Sequence, residues 1–286
     1  MPWDKVTLVG VGLLGGSLGR ALRVRKLAKS VVGLVRREAT LAEAVDCRAV
    51  DHATLDPEEA VNGADLVVLC TPLEAMSRVA TGLLPFLRED VLLTDVGSVK
   101  QVVTGEMEVL LSNHSGVFVG SHPMAGGEKS GVAHSSKDLF EKAICAVTPC
   151  KSTPREAVGR INALWESVGA RTLEMDPKTH DHLVSRASHL PHVLSSLLAS
   201  YVLDPNTDSI QKSLCASGFR DMTRIAEGDV TMWRDILIQN NQQMIETLDE
   251  YLGELKGFRD LLEANDHESI ASILKQASDR RKNWAS

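Results

Sequence analysis

The sequence has few cysteines, no long apolar run and no surplus of basic residues. Its five cysteines are an odd number, and they form neither a CxxC pair nor a metal-like spacing with histidine. These absences exclude a disulfide scaffold and argue against a bound metal. We expect the thiols to be reduced and to lie in or near the core of a cytoplasmic protein.

The chain also lacks the patterns of membrane insertion and export. No apolar run approaches the length of a membrane span. The opening MPWDKVTLVGVGLLGGSLGR has no basic n-region, carries Asp4 and contains five glycines by position 19. We therefore expect no membrane association.

Positive charge is scarce. Lys and Arg number 31 against 38 Asp and Glu, which gives a formal net charge of -7, and no basic run is clustered. A nucleic-acid or anionic-membrane partner would require a basic face. The expected partner is a small molecule, and 286 residues suffice for one large or two ordinary domains.

The two halves of the chain differ in their hydrophobic pattern. Up to about residue 176, short β-branched runs alternate with amphipathic segments, as in a parallel sheet with crossover helices. The predicted strands are Lys5–Val9, Val31–Val35, Asp65–Cys70, Val91–Asp95, Val117–Gly120, Ala143–Thr148 and Arg171–Glu174. We predict an α/β fold, with a Rossmann-type doubly wound sheet in residues 1–176 and an all-helical domain in residues 177–286.

The helical half carries an apolar stripe. Its members recur at spacings that place them mostly along one helix face: Leu237, Ile245, Leu248, Leu252, Leu255, Leu262 and Ile270. This stripe predicts a core or a subunit interface.

A glycine-rich turn, GVGLLG, follows the first predicted strand and precedes a helical pattern. In that context Gly10 allows the tight turn, Gly12 lets the backbone approach a pyrophosphate, and Gly15 lets the helix pack on the strand. A helix N-terminus also favours an anion. We predict a dinucleotide site at Gly10, Gly12, Leu13, Leu14 and Gly15.

The end of the second predicted strand indicates which dinucleotide binds. NAD sites usually carry Asp or Glu there, whereas this chain has Val35 followed by Arg36 and Arg37. Paired guanidiniums can hold a 2'-phosphate bidentately. The predicted cofactor is NADP, with NAD still possible if the two arginines are only solvated surface residues.

Further strand ends should lie on the same edge of the sheet. Cys70, Thr71, Pro72 and Ser98 are predicted to line the cofactor, and the fifth strand delivers His122 to this edge. A lone histidine is more often structural, but this position favours a functional one.

Five segments, taken in order, resemble the prephenate/arogenate dehydrogenase family of tyrosine biosynthesis. They are GVGLLGGSLG, TDVGSVK, GSHPMAGGEKSG, HDHLVSRASHLPH and FRDMTRIAEGDVTMWRDIL. The resemblance covers nearly the whole chain, and SHPMAGGEKSG and SHLPH are its narrowest motifs. It implies a nicotinamide-dependent enzyme and a homodimer paired through the helical domain.

The resemblance also implies a reaction, the oxidative decarboxylation of a cyclohexadienol. Hydride leaves C4 for the nicotinamide, the C4 hydroxyl loses its proton, and the C1 carboxylate departs as carbon dioxide. His122 takes the role of base, which suits a side chain that is neutral near pH 7. Ser98 would orient His122 or touch the substrate hydroxyl.

Substrate contacts are carried over from the same motifs. Arg224 resembles the carboxylate-binding arginine, His189 is expected to face the substrate, and Trp233 is expected to shape the pocket wall. The full predicted set is Ser121, Glu128, His189, His192, Arg224 and Trp233. His180 and His182 are predicted to be mainly structural.

The substrate side chain is the least determined feature. Some family members carry a hydroxyl residue where this chain has Gly127, so a polar contact is absent here or replaced by water. Arogenate carries an ammonium that would favour an acidic neighbour such as Glu128, Glu227 or Asp229. These hints, with the arginine pair, tilt the prediction slightly from prephenate toward arogenate.

Two other functions stay open on the sequence. A β-hydroxyacid dehydrogenase shares the two-domain plan but needs a catalytic lysine where this chain offers histidines. A non-catalytic NADP sensor would leave the convergence of His122, Ser98 and Arg224 without a purpose.

Overall fold

The computed structural model describes residues 3–127, 129–206 and 208–285. Glu128, one of the predicted substrate contacts, lies outside the described residues.

The first half of the chain builds a six-stranded sheet. Its strands are β1 Trp3–Val9, β2 Ala28–Leu34, β3 His52–Thr54, β4 Leu66–Leu69, β5 Leu92–Asp95 and β6 Val117–Phe118. All neighbours pair in parallel, in the order β3-β2-β1-β4-β5-β6. The order reverses between β1 and β4, and ligands bind outside such a switch point in doubly wound sheets. The predicted fold class is confirmed.

Helices connect these strands and cover both faces of the sheet. They are α1 Leu13–Val24, α2 Glu38–Asp46, α3 Pro57–Val61, α4 Leu73–Leu83 and α5 Gln101–Leu110. Successive strand residues point to opposite faces, so Leu8 belongs to one buried apolar cluster and Val9 to the other. Full burial of each such side chain is worth roughly 1.5–3 kcal/mol.

A second sheet corrects the sequence prediction. The predicted strand Val117–Gly120 divides into β6 and a separate strand β7, Gly120–Pro123. β7 pairs antiparallel with β8, Ile144–Thr148, and β8 pairs parallel with β9, Arg171–Glu174. The last predicted strands therefore belong to a three-stranded mixed sheet and not to the parallel one. The amphipathic helix α6, Arg155–Ser167, links β8 to β9.

From Pro177 onward the described chain is helical. Its helices are α7 Pro177–Val184, α8 Leu190–Val202, α9 Ser209–Ser213, α10 Ser217–Thr223, α11 Val230–Gln239, α12 Asn241–Glu263 and α13 His267–Ala285. A π-helical turn, Ser185–His189, joins α7 to α8, and a 3₁₀ turn, Arg224–Glu227, joins α10 to α11. Asp176 begins α7, since its carboxylate accepts the Thr179 N–H at 3.0 Å.

The helical half packs against the first half through α7 and α11. α7 lies against α5 and β8, and α11 lies against α4. Ile236 of α11 is buried in the second apolar cluster, with Trp233 packed beside it. The cleft between the two halves therefore lies next to the carboxyl ends of β4 and β5.

Most of the predicted stripe is exposed in the single chain. Ile245, Leu252, Leu255 and Leu262 are each at least half exposed. This exposure favours the subunit-interface interpretation over a core. Within the described ranges, no helix combines the length and apolar character that crossing a membrane requires.

Candidate active site

The glycine turn brings α1 very close to β1 and β4. Gly10 has φ +97°, and a Cβ there would lie 2.8 Å from the Cys70 carbonyl oxygen. A Cβ on Gly15 would lie 2.2 Å from the Gly10 oxygen and 3.1 Å from the Cys70 Cβ. Both glycines are therefore required for packing.

Gly12 differs from its neighbours because the space around it is open. A Cβ built there meets no described atom within 4 Å. The N-terminus of α1 begins at Leu13, directly after it, where backbone N–H groups have no partner within the helix. Open space beside a helix N-terminus fits a pyrophosphate.

Thr71 is a second residue whose environment fits a bound dinucleotide. Its hydroxyl oxygen is buried and has no hydrogen-bond partner among the described residues. The Thr71 backbone nitrogen lies beside the glycine turn, 3.3 Å from the Cβ position of Gly10. A buried polar atom without a partner is costly, so a bound group that satisfies it would be favoured. The residues present therefore fit a dinucleotide.

The end of β2 is apolar inside and basic outside. Val35 is buried, where NAD sites usually have a carboxylate. Arg36 and Arg37 are exposed, and neither guanidinium forms a hydrogen bond or ion pair with the described part of the chain. Their guanidiniums are thus available to an anionic ligand.

β7, a strand of the second sheet, places His122 near β5. A fully buried ion pair between Asp95 and Lys100 holds the backbone at this point. Asp95 Oδ1 accepts the Ser121 N–H at 3.0 Å, and Asp95 Oδ2 accepts the Gly97 N–H at 2.8 Å. Lys100 Nζ donates to the Ser121 backbone oxygen at 3.0 Å. One buried pair therefore positions the loop after β5 together with β7.

Ser121 has a different environment from the one predicted. Its side chain is fully buried, and its hydroxyl donates to the Asp95 backbone oxygen at 2.5 Å and lies 2.8 Å from Thr94 Oγ1. These bonds favour a structural role over the predicted substrate contact.

A histidine of the helical half contacts the His122 ring and orients it. Its Nδ1 lies 2.9 Å from His180 Nε2, and His180 Nδ1 lies 2.7 Å from Asp181 Oδ1. Burial lowers the pKa of His122 well below its usual value, and the positive charges that His180, Lys100 and His189 can carry act in the same direction. The ring is therefore neutral near pH 7, as a proton acceptor must be.

Ser98 lies in the loop between β5 and α5 and is half-buried. Its hydroxyl makes no hydrogen bond to any described residue, so the predicted orienting contact with His122 is made by His180 instead. Contact of Ser98 with the substrate or the cofactor stays a prediction.

His189 is buried in the π-helical turn, and its hydrogen bonds define its tautomer. Asn240 Nδ2 donates to the Asp181 backbone oxygen at 3.0 Å, which fixes the orientation of the amide, and lies 3.2 Å from His189 Nδ1. His189 Nδ1 therefore accepts, and Nε2 carries the proton. Burial lowers the pKa of His189 to about 4, so the ring is a neutral N–H donor.

His192 and Trp233 form an aromatic wall. Their rings stack with centroids 3.6 Å apart and planes at 8°. His192 is buried, and its Nδ1 has no partner among the described residues. Gly228 is close to both rings, since its Cβ position lies 2.7 Å from Trp233 Nε1. The predicted wall-forming role of Trp233 agrees with this packing.

Arg224 is exposed at the start of the 3₁₀ turn, which packs against α8, the helix that carries His192. Arg224 therefore belongs to the 3₁₀ turn that borders the stacked rings of His192 and Trp233.

Sequence reasoning missed the residues behind His122. His180 was predicted to be mainly structural, and Asp181 and Asn240 were not singled out. The HDH triplet of residues 180–182 was the available signal, but it does not reveal that α7 meets β7. That contact joins residues 58 positions apart in the chain.

Comparisons with known proteins identify the family of the chain. The chain matches two family models, "Prephenate dehydrogenase, nucleotide-binding domain" over residues 18–174 and "Prephenate dehydrogenase, dimerization domain" over residues 176–276. It is 35% identical over 281 residues to the prephenate dehydrogenase of Bacillus subtilis (strain 168), covering 97% of this chain and 75% of that relative.

Two solved structures are similar along almost the whole chain. Prephenate dehydrogenase from A. aeolicus, in complex with hydroxyphenyl propionate and NAD+, superposes with a TM-score of 0.93 at 31% identity and covers 99% of both chains. Arogenate dehydrogenase from Synechocystis superposes with a TM-score of 0.86 at 28% identity, covering 98% of this chain and 99% of that one. With both family models matched in order, the chain belongs to the prephenate dehydrogenase family of oxidoreductases.

Proposed function

We propose that this protein catalyses the NADP-dependent oxidative decarboxylation of a cyclohexadienol, arogenate in preference to prephenate. Two observations carry the proposal: the buried His122 is hydrogen-bonded to His180, and the space beside Gly12 at the N-terminus of α1 is open. The β-hydroxyacid dehydrogenase alternative is not favoured, because the chain belongs to a different family.

The cofactor would be held at the N-terminus of α1. The pyrophosphate would lie against Gly12 and the first backbone N–H groups of α1, and the Thr71 hydroxyl would gain its missing partner. When bound, the nicotinamide supplies the acceptor for the hydride that leaves C4 of the substrate. Arg36 and Arg37 would hold the 2'-phosphate of NADP.

His122 performs the proton step. As the hydride leaves C4, the C4 hydroxyl becomes a carbonyl and its proton passes to the free lone pair of His122 Nε2. The bond between C1 and the carboxylate carbon then breaks, carbon dioxide leaves, and the electron pair enters the ring. Gain of aromaticity drives this step, and the resulting phenolate oxygen takes the proton back from His122 to become the phenol of the product.

The helical half binds the substrate. Arg224 would pair with the departing carboxylate, because its planar guanidinium matches two oxygens. The neutral His189 ring would donate its N–H to the side chain of the substrate. The stacked rings of His192 and Trp233 would exclude water from one face of the substrate ring. Ser98 would donate to or accept from the C4 hydroxyl.

We also propose a homodimer paired through the helical half. The half-exposed apolar stripe along α12 and the match to a dimerization domain support it. The division of the chain into domains of residues 1–176 and 177–286 stays a prediction.

The test is a two-by-two assay of the purified protein. Prephenate and arogenate are each offered with NADP and with NAD, while reduction of the nicotinamide is followed by absorbance and carbon dioxide is collected. Reduction of NADP with arogenate, faster than in the other three combinations, is the expected result. Binding of NADPH without turnover in any combination would overturn the proposal and favour the sensor.

A further inference from the structure

Three side chains form an unbroken hydrogen-bonded chain from His122 into the helical half. His122 and His180 meet edge to face, with ring centroids 5.1 Å apart and planes at 69°, and with Nδ1 and Nε2 at 2.9 Å. The chain continues to Asp181 through a bond of 2.7 Å. His180 and Asp181 are each only 1% exposed, so bulk water does not compete for these bonds.

Asp181 fixes the direction of this chain. Its Oδ1 accepts the Lys100 N–H at 2.8 Å, and its Oδ2 accepts the Gln101 N–H at 2.8 Å, at the first turn of α5. Two backbone donors thus orient the carboxylate rigidly. A carboxylate oxygen accepts, so His180 Nδ1 is the donor in the third bond.

The position of the proton on His180 then determines the position of the proton on His122. With its proton on Nδ1, a neutral His180 has a single lone pair left, on Nε2. His122 Nδ1 must donate to that lone pair, which leaves His122 Nε2 unprotonated. The opposite tautomer of His122 would present an N–H where a base needs a lone pair.

We propose that His180, held by Asp181, is a positioning residue that fixes His122 in the tautomer able to accept the substrate hydroxyl proton. The inference rests on the proposed function for the identity of that proton. The role is distinct from that of Ser98, because His180 contacts the base from the side opposite to its reacting nitrogen.

The same chain can hold the proton between the hydride step and its return to the phenolate oxygen of the product. When His122 Nε2 takes up the proton, the Nδ1 proton can move to His180 Nε2, which leaves His122 neutral and places a cation beside Asp181. Among the described residues, the other ionisable groups that act on His122 are Lys100, from the loop before α5, and His189, from the π-helical turn. Both disfavour a cation on His122, so Asp181 is the group that offsets the charge.

Two substitutions of His180 separate its two nitrogens. In His180→Asn the amide nitrogen can replace Nδ1 and still donate to Asp181, but the side chain is too short to reach His122. In His180→Gln the longer side chain can place Oε1 near the position of Nε2 and accept from His122 Nδ1. The pair is matched in polarity and hydrogen-bonding groups, and thermal melting verifies that both variants fold.

The deciding measurement is the tautomer of His122, read by ¹⁵N NMR of histidine-labelled enzyme with NADPH bound and assigned by the His122→Asn spectrum. We expect the proton on Nδ1 in the wild type and in His180→Gln, and a mixture of tautomers in His180→Asn. The corresponding kcat should fall roughly 10- to 100-fold in His180→Asn and stay within about 5-fold of the wild type in His180→Gln, while KM changes little.

A wild-type His122 with its proton on Nε2 would overturn the inference, whether or not the variants fold. Equal kcat values in the two variants would overturn it too. The NMR result does not depend on turnover, so it stays distinct from the proposed function. A wild type that oxidises neither substrate, but has the proton on Nδ1, contradicts the function and leaves the tautomer assignment intact.

Discussion

Replacing Gly12 by alanine should abolish cofactor binding without disturbing the fold. No described atom lies within 4 Å of the added Cβ, and the φ of -95° is outside the left-handed region. Stability should therefore stay unchanged or rise by about 0.4–1 kcal/mol, because alanine restricts the unfolded chain. The added methyl would occupy the space assigned to the pyrophosphate.

The magnitude follows from the contacts that would be lost. The N–H groups of Leu13 and Leu14 begin α1, and each charge-assisted bond to a phosphate oxygen is worth about 1.5–3 kcal/mol. Loss of both amounts to roughly 3–6 kcal/mol, or about two to four orders of magnitude in Kd. Fluorescence titration with NADPH measures the loss, and thermal melting measures the fold.

Gly15→Ala is the matched control. Its Cβ would lie 2.2 Å from the Gly10 oxygen, so α1 must move away from β1, at a cost of about 1–3 kcal/mol or more. The reasoning is refuted if Gly12→Ala binds NADPH within about threefold of the wild type, or if it melts as early as Gly15→Ala.

Three further changes test other parts of the account. Serine at both Arg36 and Arg37 should weaken NADPH binding about 10- to 100-fold and leave NADH binding nearly unchanged in the same titration. Lys100→Met leaves Asp95 buried without its partner and should cost about 3–5 kcal/mol in urea unfolding, with partial recovery on adding Asp95→Asn. His189 titrates near 6.5 in the unfolded chain and near pH 4 in the fold, so its contribution to stability is complete above pH 6.5 and declines as the pH falls. Between pH 6.5 and pH 4 the wild type should lose about 3 kcal/mol more than His189→Gln in urea unfolding, since the other buried histidines titrate in both; an equal decline in both proteins would contradict the assignment.

Local patterns were sufficient for part of the dinucleotide half, namely the glycine turn and strands β1, β2, β4 and β5. These features lie within short windows of sequence. The packing roles of Gly10 and Gly15 and the positions of these strand ends could therefore be predicted before the fold was known.

Pairing between distant segments could not be read from the same patterns. β7 separates from β6 because Ser121 bonds to the Asp95 side chain and pairs opposite Val147, and neither partner is nearby in sequence. The role of His180 likewise depends on α7 packing against α5. A histidine beside an aspartate in a helix has no distinctive sequence signal, so its function became visible only in the folded protein.

The most direct test of the central claim is the turnover of His122→Asn. The asparagine amide can keep the bond to His180 but places no acceptor at the position of Nε2, so the fold and the cofactor site should be preserved. We predict a loss of about two to four orders of magnitude in kcat, with NADPH binding unchanged within about twofold. Turnover within about threefold of the wild type would contradict the assignment of His122 as the base.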